Sequence, residues 1–191
     1  AVARANSPWF HVDAAWGAGA ILLPEYQDMF RGTEKADSVT IDAHKWFSVP
    51  MGAGIFLTPH QGLLEQTFST EKSPYMPPDS RQSGAHQPYR DSIQWSRRFI
   101  GLKLYLTLAV AGEVGYQKVF RHQIEMANFL RKLLRDRGWK LRNNSPWPVV
   151  CFTHEKFNVN RKSVLEFVDR IQASGKAWVT STELTYSKET V

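Results

Sequence analysis

Apolar and polar positions along the 191-residue chain change their rhythm partway through. Near the start, short apolar runs alternate with glycine-rich or polar connections. Trp9-Phe10-His11-Val12 predicts a strand ending at Asp13, Asp37 to Asp42 a second ending just before His44-Lys45, and Ile55-Phe56-Leu57 a third. Pro24 to Arg31 predicts a short helix that Gly32 can stop, and Thr58-Pro59 an N-cap and first-turn pair for a helix through about Phe68. From Ser92 onward the apolar period lengthens. It predicts one helix from about Ser92 to Val110 and another from about Glu113 to Arg137, ended by Gly138, whose stripe is Phe120, Ile124, Ala127, Leu130 and Leu134. Val149 to Thr153 then predicts a strand, Ser163 and Glu166 a capping box opening a helix to Ser174 with Gly175 as its stop, and Ala177 to Thr182 a last strand.

Between these regimes, Ser69 to Asp91 holds four prolines, few aliphatics and no period. A loop that long inside a compact domain is usually functional, often a lid. The β-α-β order from about Pro146 onward predicts a second, small α+β domain. The first two predicted strands end at Asp13 and just before His44-Lys45, and in open α/β sheets ligands bind off the carboxyl ends of the strands.

Composition narrows the class. With 42% hydrophobic, 13% aromatic and 22% charged residues the chain is too apolar for disorder. A single cysteine, Cys151, excludes an intrachain disulfide and a multi-thiolate zinc site, and makes the cytoplasm the expected compartment. The apolar run Ile100 to Ala111 is interrupted by Lys103, so no membrane span is expected, and AVARANSPWF lacks a signal peptide's apolar core. The net charge of +6 is concentrated between Lys118 and Arg142, where the helical period favours a solvated basic face over a nucleic-acid surface.

Taken singly, the candidate chemical residues have ordinary readings. Asp13 in HVDAAWGAGA can cap the turn after its strand, His44 and Lys45 can be a surface pair beside a buried Trp46, and Tyr75 can be a packing aromatic in a proline-rich loop. The histidines show no metal-ligand spacing, so no metal is expected, and no P-loop, G-x-G-x-x-G or G-x-S-x-G occurs.

The constellation says more. HVDAAWGAGAILLPEY, ADSVTIDAHKW, SPYMP and WSRRFIGLKLYLTLAVAGEVGY, in that order, resemble the group II pyridoxal-phosphate decarboxylases, the family of aromatic-amino-acid, histidine and glutamate decarboxylases. The resemblance implies an α/β chain of the fold-type I PLP-dependent transferase fold. Residues 1–112 would be the C-terminal part of the large cofactor domain with an active-site loop at about 69–91. Residues 113–191 would be a connecting helix and most of the small α+β domain. It also implies a homodimer acting on a small-molecule substrate, an aromatic or other L-amino acid, and a decarboxylation to amine and carbon dioxide. Because the match starts in the middle of the family's sequence and stops before its end, the chain is expected to be a piece of a longer enzyme, inactive alone. The upstream half, with the phosphate loop and the residue stacked on the ring's other face, would be missing.

Carried over by position, Lys45 resembles the lysine of the internal aldimine with pyridoxal 5'-phosphate, and partial burial at the sheet edge is expected to favour its neutral amine. Asp13 resembles the carboxylate paired with the pyridine nitrogen, which keeps the ring an electron sink. Ala15 resembles the alanine packed on one ring face, and His44 the histidine near aldimine and phosphate. Tyr75 resembles the loop tyrosine that returns a proton to the substrate carbon after carbon dioxide leaves, a residue that aldehyde-forming relatives replace. One position departs from the pattern: where many members carry Asn-Pro-His-Lys this chain has Asp42-Ala43-His44-Lys45. Asp42 is therefore left out of the expected ligands, since an anion there repels a phosphate. A related lyase or aldehyde synthase of the same fold is the enzymatic alternative, and a basic nucleic-acid-binding module the non-enzymatic one.

Overall fold

In a computed structural model the described residues are 8–68, 88–157, 160–184 and 189–190. The chain divides into two compact units, Ala1–Gln117 and Lys118–Val191.

The first unit is organised by a three-stranded sheet of order β1-β2-β3, formed by His11–Asp13, Ser38–Asp42 and Gly54–Leu57. β1 runs parallel to β2, with His11 opposite Ser38 and Asp13 opposite Thr40. β2 runs antiparallel to β3, with Asp42 opposite Gly54. A parallel pair needs a crossover connection. Here it consists of 3₁₀ turns at Gly17–Leu22, Pro24–Phe30 and Thr33–Lys35. Gly32 closes the second of them at φ 99°, a left-handed conformation that suits glycine. At the far edge from the expected site, Asp37 ties the sheet to its surroundings. Its carboxylate accepts from Phe10 N at 2.8 Å and contacts His60 Nε2 at 2.9 Å, while its carbonyl accepts from Thr58 Oγ1 at 2.8 Å. Thr58 thus serves a turn, and the helix expected from it is only α1, Leu63–Phe68, preceded by Gly62 at φ 73°.

The two long helices expected from the apolar period join into α2, Ile100–Asp136, broken at Gly112, whose φ 62° and ψ 173° are not helical. Ser92–Phe99, expected as helix, is not. Ser92 Oγ donates to Gln94 O, and Arg97 Nη2 donates to Pro88 O at 2.8 Å, so side chains occupy acceptors there in place of a backbone ladder. Ile100 and Leu104 pack on the buried Ala43, Val49 and Ala53, and Tyr116 Oη donates to Phe47 O at 3.0 Å. Burial pushes the Tyr116 phenol up from its usual range, which keeps it a donor.

In the second unit the buried stripe of α2 is Phe120, Ile124, Ala127 and Arg131, while Leu130, expected inside, is exposed. A three-residue step and a four-residue step from Ala127 land on adjacent sides of a helix, and here the four-residue step faces inward. β4, Lys140–Leu141, pairs antiparallel with β5, Phe152–Thr153. Asn143 side-chain bonds to Val149 O and Cys151 N replace ladder bonds in the rest of the expected 149–153 strand. α3, Arg161–Ala173, starts earlier than expected. Asn160 is the N-cap, and Ser163, read as the cap from sequence, is its reciprocal capping-box partner. Gly175 follows at φ 67°. Residues 177–182 form no strand. β6 is Glu183–Leu184, paired with β7, Glu189–Thr190. Trp139 gathers Phe152, His154, Phe157 and Phe167 around it at centroid distances of 5.0 to 5.7 Å.

Candidate functional site

Asp13 ends β1 and Asp42 ends β2, so the chain segments that follow leave the same edge of a parallel pair. Three contacts hold those segments beside each other. Ala14 N donates to Thr40 O at 2.9 Å and Asp42 N donates to Ala15 O at 3.0 Å, extending the ladder past the strand ends. Trp16 then stacks on Trp46, centroids 4.7 Å apart and planes within 16°. The sequence repeats a motif: in each segment a tryptophan follows the candidate residues, and the two rings meet.

Asp13 is exposed, and its Oδ1 accepts from Ala15 N at 3.0 Å, the local turn that the ordinary reading of this residue anticipated. Among the described residues, Oδ2 has no partner, so the carboxylate retains acceptor capacity toward a ligand. Ala15 is half-buried, with its carbonyl used by Asp42.

The turn after β2 is closed by Lys45 N donating to Asp42 O at 2.9 Å, and Ala43 within it is fully buried. Ser48 N donates to Lys45 O at 3.0 Å, and Ser48 takes φ 57°, a rare conformation for a side-chain-bearing residue that Val49 N bonding to Ala43 O helps hold. His44 Nδ1 lies 3.2 Å from Ala53 O. A carbonyl only accepts, so Nδ1 donates there, while Nε2 lies 4.0 Å from Asp42 Oδ2. The Lys45 side chain is 40% exposed, and its Nζ lies 2.8 Å from Asp42 Oδ2, an anionic neighbour that the sequence reading did not anticipate. The pair holds the Asp42 carboxyl below its ordinary range, chiefly through the Lys45 hydrogen bond.

Asp42 is the residue sequence reasoning set aside, and it sits at the centre of the cluster. The signal was present in the spacing: residues i and i+3 of a tight turn lie within about 7 Å, close enough for an aspartate and a lysine to meet. Tyr75 lies outside the described residues. A cavity of 720 Å³ in the same unit is lined by Gly54, Tyr89, Trp95, Arg98 and Phe99 among others, but by none of Asp13, His44 or Lys45. Among the described residues no helix is long and apolar enough to cross a membrane, and no group of three or more His, Cys, Asp or Glu is placed to hold a metal ion.

The basic segment, read as a solvated face, is one at Lys132 and Lys140, which stay exposed while pairing with Asp136 and Glu155, whereas Arg131 is buried.

Comparison with known proteins decides the family. The profile of the pyridoxal-dependent decarboxylase conserved domain matches residues 1–155. The chain belongs to that family. It is 30% identical over 190 residues to tryptophan decarboxylase 2 of Oryza sativa subsp. japonica, covering 96% of this chain and 38% of that protein. It is also 30% identical over 191 residues to a phenylacetaldehyde synthase of Arabidopsis thaliana, with the same coverages. The crystal structure of Oryza sativa TDC with PLP and tryptamine superposes with TM-score 0.84 at 25% identity, over 96% of this chain and 39% of that one. The fold is accordingly that of the fold-type I decarboxylases, and the chain spans about two-fifths of the length of the relatives it matches.

Proposed function

We propose that this chain supplies the lysine-bearing part of a pyridoxal 5'-phosphate-dependent carboxy-lyase that converts an L-amino acid, aromatic by its relatives' names, into the amine and carbon dioxide. The observation that carries the reading is the convergence of Asp13-Ala15-Trp16 and His44-Lys45-Trp46 on one edge of the β1–β2 pair. The donor set fits the cofactor: a primary amine for its aldehyde, a carboxylate with an unused oxygen for its ring nitrogen, and a small alanine able to lie against a flat ring. The bound cofactor supplies an electron sink for the carbanion left when carbon dioxide departs. Lys45 would anchor it, and Asp13 would accept the ring N–H and favour the pyridinium form through a charge-assisted bond. His44, its Nδ1 directed at Ala53 O, keeps Nε2 beside the Lys45 turn, 4.0 Å from Asp42 Oδ2, and would meet the cofactor from there. We assign Tyr75 the return of a proton to the substrate carbon. A homodimer in the cytoplasm, with the upstream part of the same polypeptide completing the pocket, belongs to the same proposal, as does the division into a large-domain part, 1–112, and a small domain with its connecting helix, 113–191.

Borohydride reduction of the full-length holoenzyme followed by peptide mapping is expected to place the pyridoxyl group on Lys45; a label on Lys35 or Lys72 instead sinks the assignment. An aldehyde synthase is the second reading, favoured by the equal identity to the Arabidopsis synthase. Assaying carbon dioxide, amine and peroxide together separates the two. The decarboxylase reading expects amine without peroxide from the parent, and aldehyde and peroxide from Tyr75→Phe. Aldehyde from the parent itself establishes the synthase.

A further inference from the structure

We propose that Asp42 is a positioning residue for Lys45, holding the amine at the β2 turn through a carboxylate–ammonium pair that must open before the nitrogen can attack a carbonyl. This rests on the reading of Lys45 as the cofactor's anchor. Asp42 grips Lys45 twice, by its carbonyl on Lys45 N at 2.9 Å and by Oδ2 on Nζ at 2.8 Å. The grip is itself fixed. Asp42 N is bonded to Ala15 O, its backbone is paired with Gly54 across the sheet, and a Cβ on Gly54 would lie 3.6 Å from Asp42 Oδ1, so the carboxylate is seated against β3. A side chain anchored this way stays in place when a long, half-exposed lysine swings.

The chemistry gives the pair a consequence. An ammonium has three donors and no lone pair, so it cannot attack. An N–H bond breaks, its electron pair stays on nitrogen to form the new C–N bond, and a second hydrogen later leaves with the carbonyl oxygen. Ammonium and aldehyde thus give a protonated C=N group and one water. Asp42, held as a carboxylate by the same contact, is a poor acceptor for the released proton, so solvent takes it and later returns a proton to the departing oxygen, which completes the water, and Asp42 acts as a latch rather than a base. The other charged groups near the turn are His44, with Nε2 4.0 Å from Asp42 Oδ2, Asp13 at the end of β1, and Lys103 of α2, whose Nζ reaches Met51 O at 3.4 Å.

The test is competitive acetylation of the full-length protein with acetic anhydride at neutral pH, read at Lys45 by mass spectrometry, beside pyridoxal phosphate labelling trapped with borohydride. Asp42→Asn is expected to acetylate Lys45 roughly threefold faster, the scale of one exposed ion pair. Asp42→Glu should move the rate back toward the parent. Added salt should raise the parent's rate at Lys45 relative to the other lysines, which needs no variant to fold. A merely structural Asp42 lowers the melting temperature and leaves the Lys45 rate where it was. Rates insensitive to both salt and Asp42→Asn overturn the proposal. A raised acetylation rate with no pyridoxyl label at Lys45 supports the latch and overturns the anchor reading instead.

Discussion

Lys45 in the first unit and Arg131 in the second are both cations with short contacts, and their surroundings are opposite. Among the described residues Lys45 has one ionic partner, Asp42, and its side chain is 40% exposed. Arg131 is 7% exposed and donates to Asn128 Oδ1 at 2.7 Å and to the carbonyls of Ser145, Trp147 and Val149 at 2.6 to 3.1 Å. A cation with water and one carboxylate can exchange that partner cheaply, which is what a reactive amine requires. One sealed among carbonyls cannot, because its removal leaves several acceptors buried without donors. The difference separates chemistry from architecture more reliably than residue type does. Both residues have apolar neighbours in sequence, Trp46 and Phe47 beside Lys45 and Phe129 and Leu130 beside Arg131, and only their surroundings in the fold distinguish them.

The comparison can be broken at several points. The largest effect is expected on the open side, where Asp13→Asn in the full-length enzyme should lower turnover by on the order of a thousandfold while stability stays within about 1 kcal/mol of the parent. Steady-state kinetics and a urea melt check the pair of outcomes; equal losses in both would return Asp13 to the role of a turn cap. On the closed side, Arg131→Ala should destabilise the protein by roughly 3 kcal/mol, from the lost charge-assisted bonds and orphaned carbonyls. Urea unfolding reads this directly, and a cost under about 0.5 kcal/mol would show that water substitutes for the guanidinium. The smallest effect concerns acid. Asp42's carboxyl is held low in the folded protein, so the Asp42–Lys45 pair contributes stability present above the ordinary aspartate range and lost as pH falls through the depressed folded value. Carbon-detected titration should find Asp42 protonating at lower pH than unpaired exposed carboxylates. An ordinary or raised midpoint would mean that the pair does not persist in solution.

Local chemistry made the edge legible. Asp13 and His44-Lys45 fall just past apolar runs, and a run followed by turn residues marks a strand end whatever surrounds it. Gly32, Gly112, Gly138 and Gly175 broke or ended helices where the sequence placed the breaks, since a positive φ is a local property of glycine. The failures share a cause. Ser92–Phe99 lacks helix, 177–182 lacks strand, and Leu130 faces outward while Arg131 faces in, because distant groups decide each outcome: the Pro88 carbonyl for Arg97, Val179 O bonded by Gln172, and the 145–149 carbonyls for Arg131.

By itself, then, the sequence determined the strand ends, the helix stops and the residue types able to serve a pyridoxal cofactor, because these depend on neighbours within a few positions. Tertiary structure alone decided that Trp16 stacks on Trp46, that Ala15 and Asp42 join two segments into one edge, and that Lys45 meets the Asp42 carboxylate. Those contacts span turns and strands, and their energies exist only once chain closure has brought the partners together.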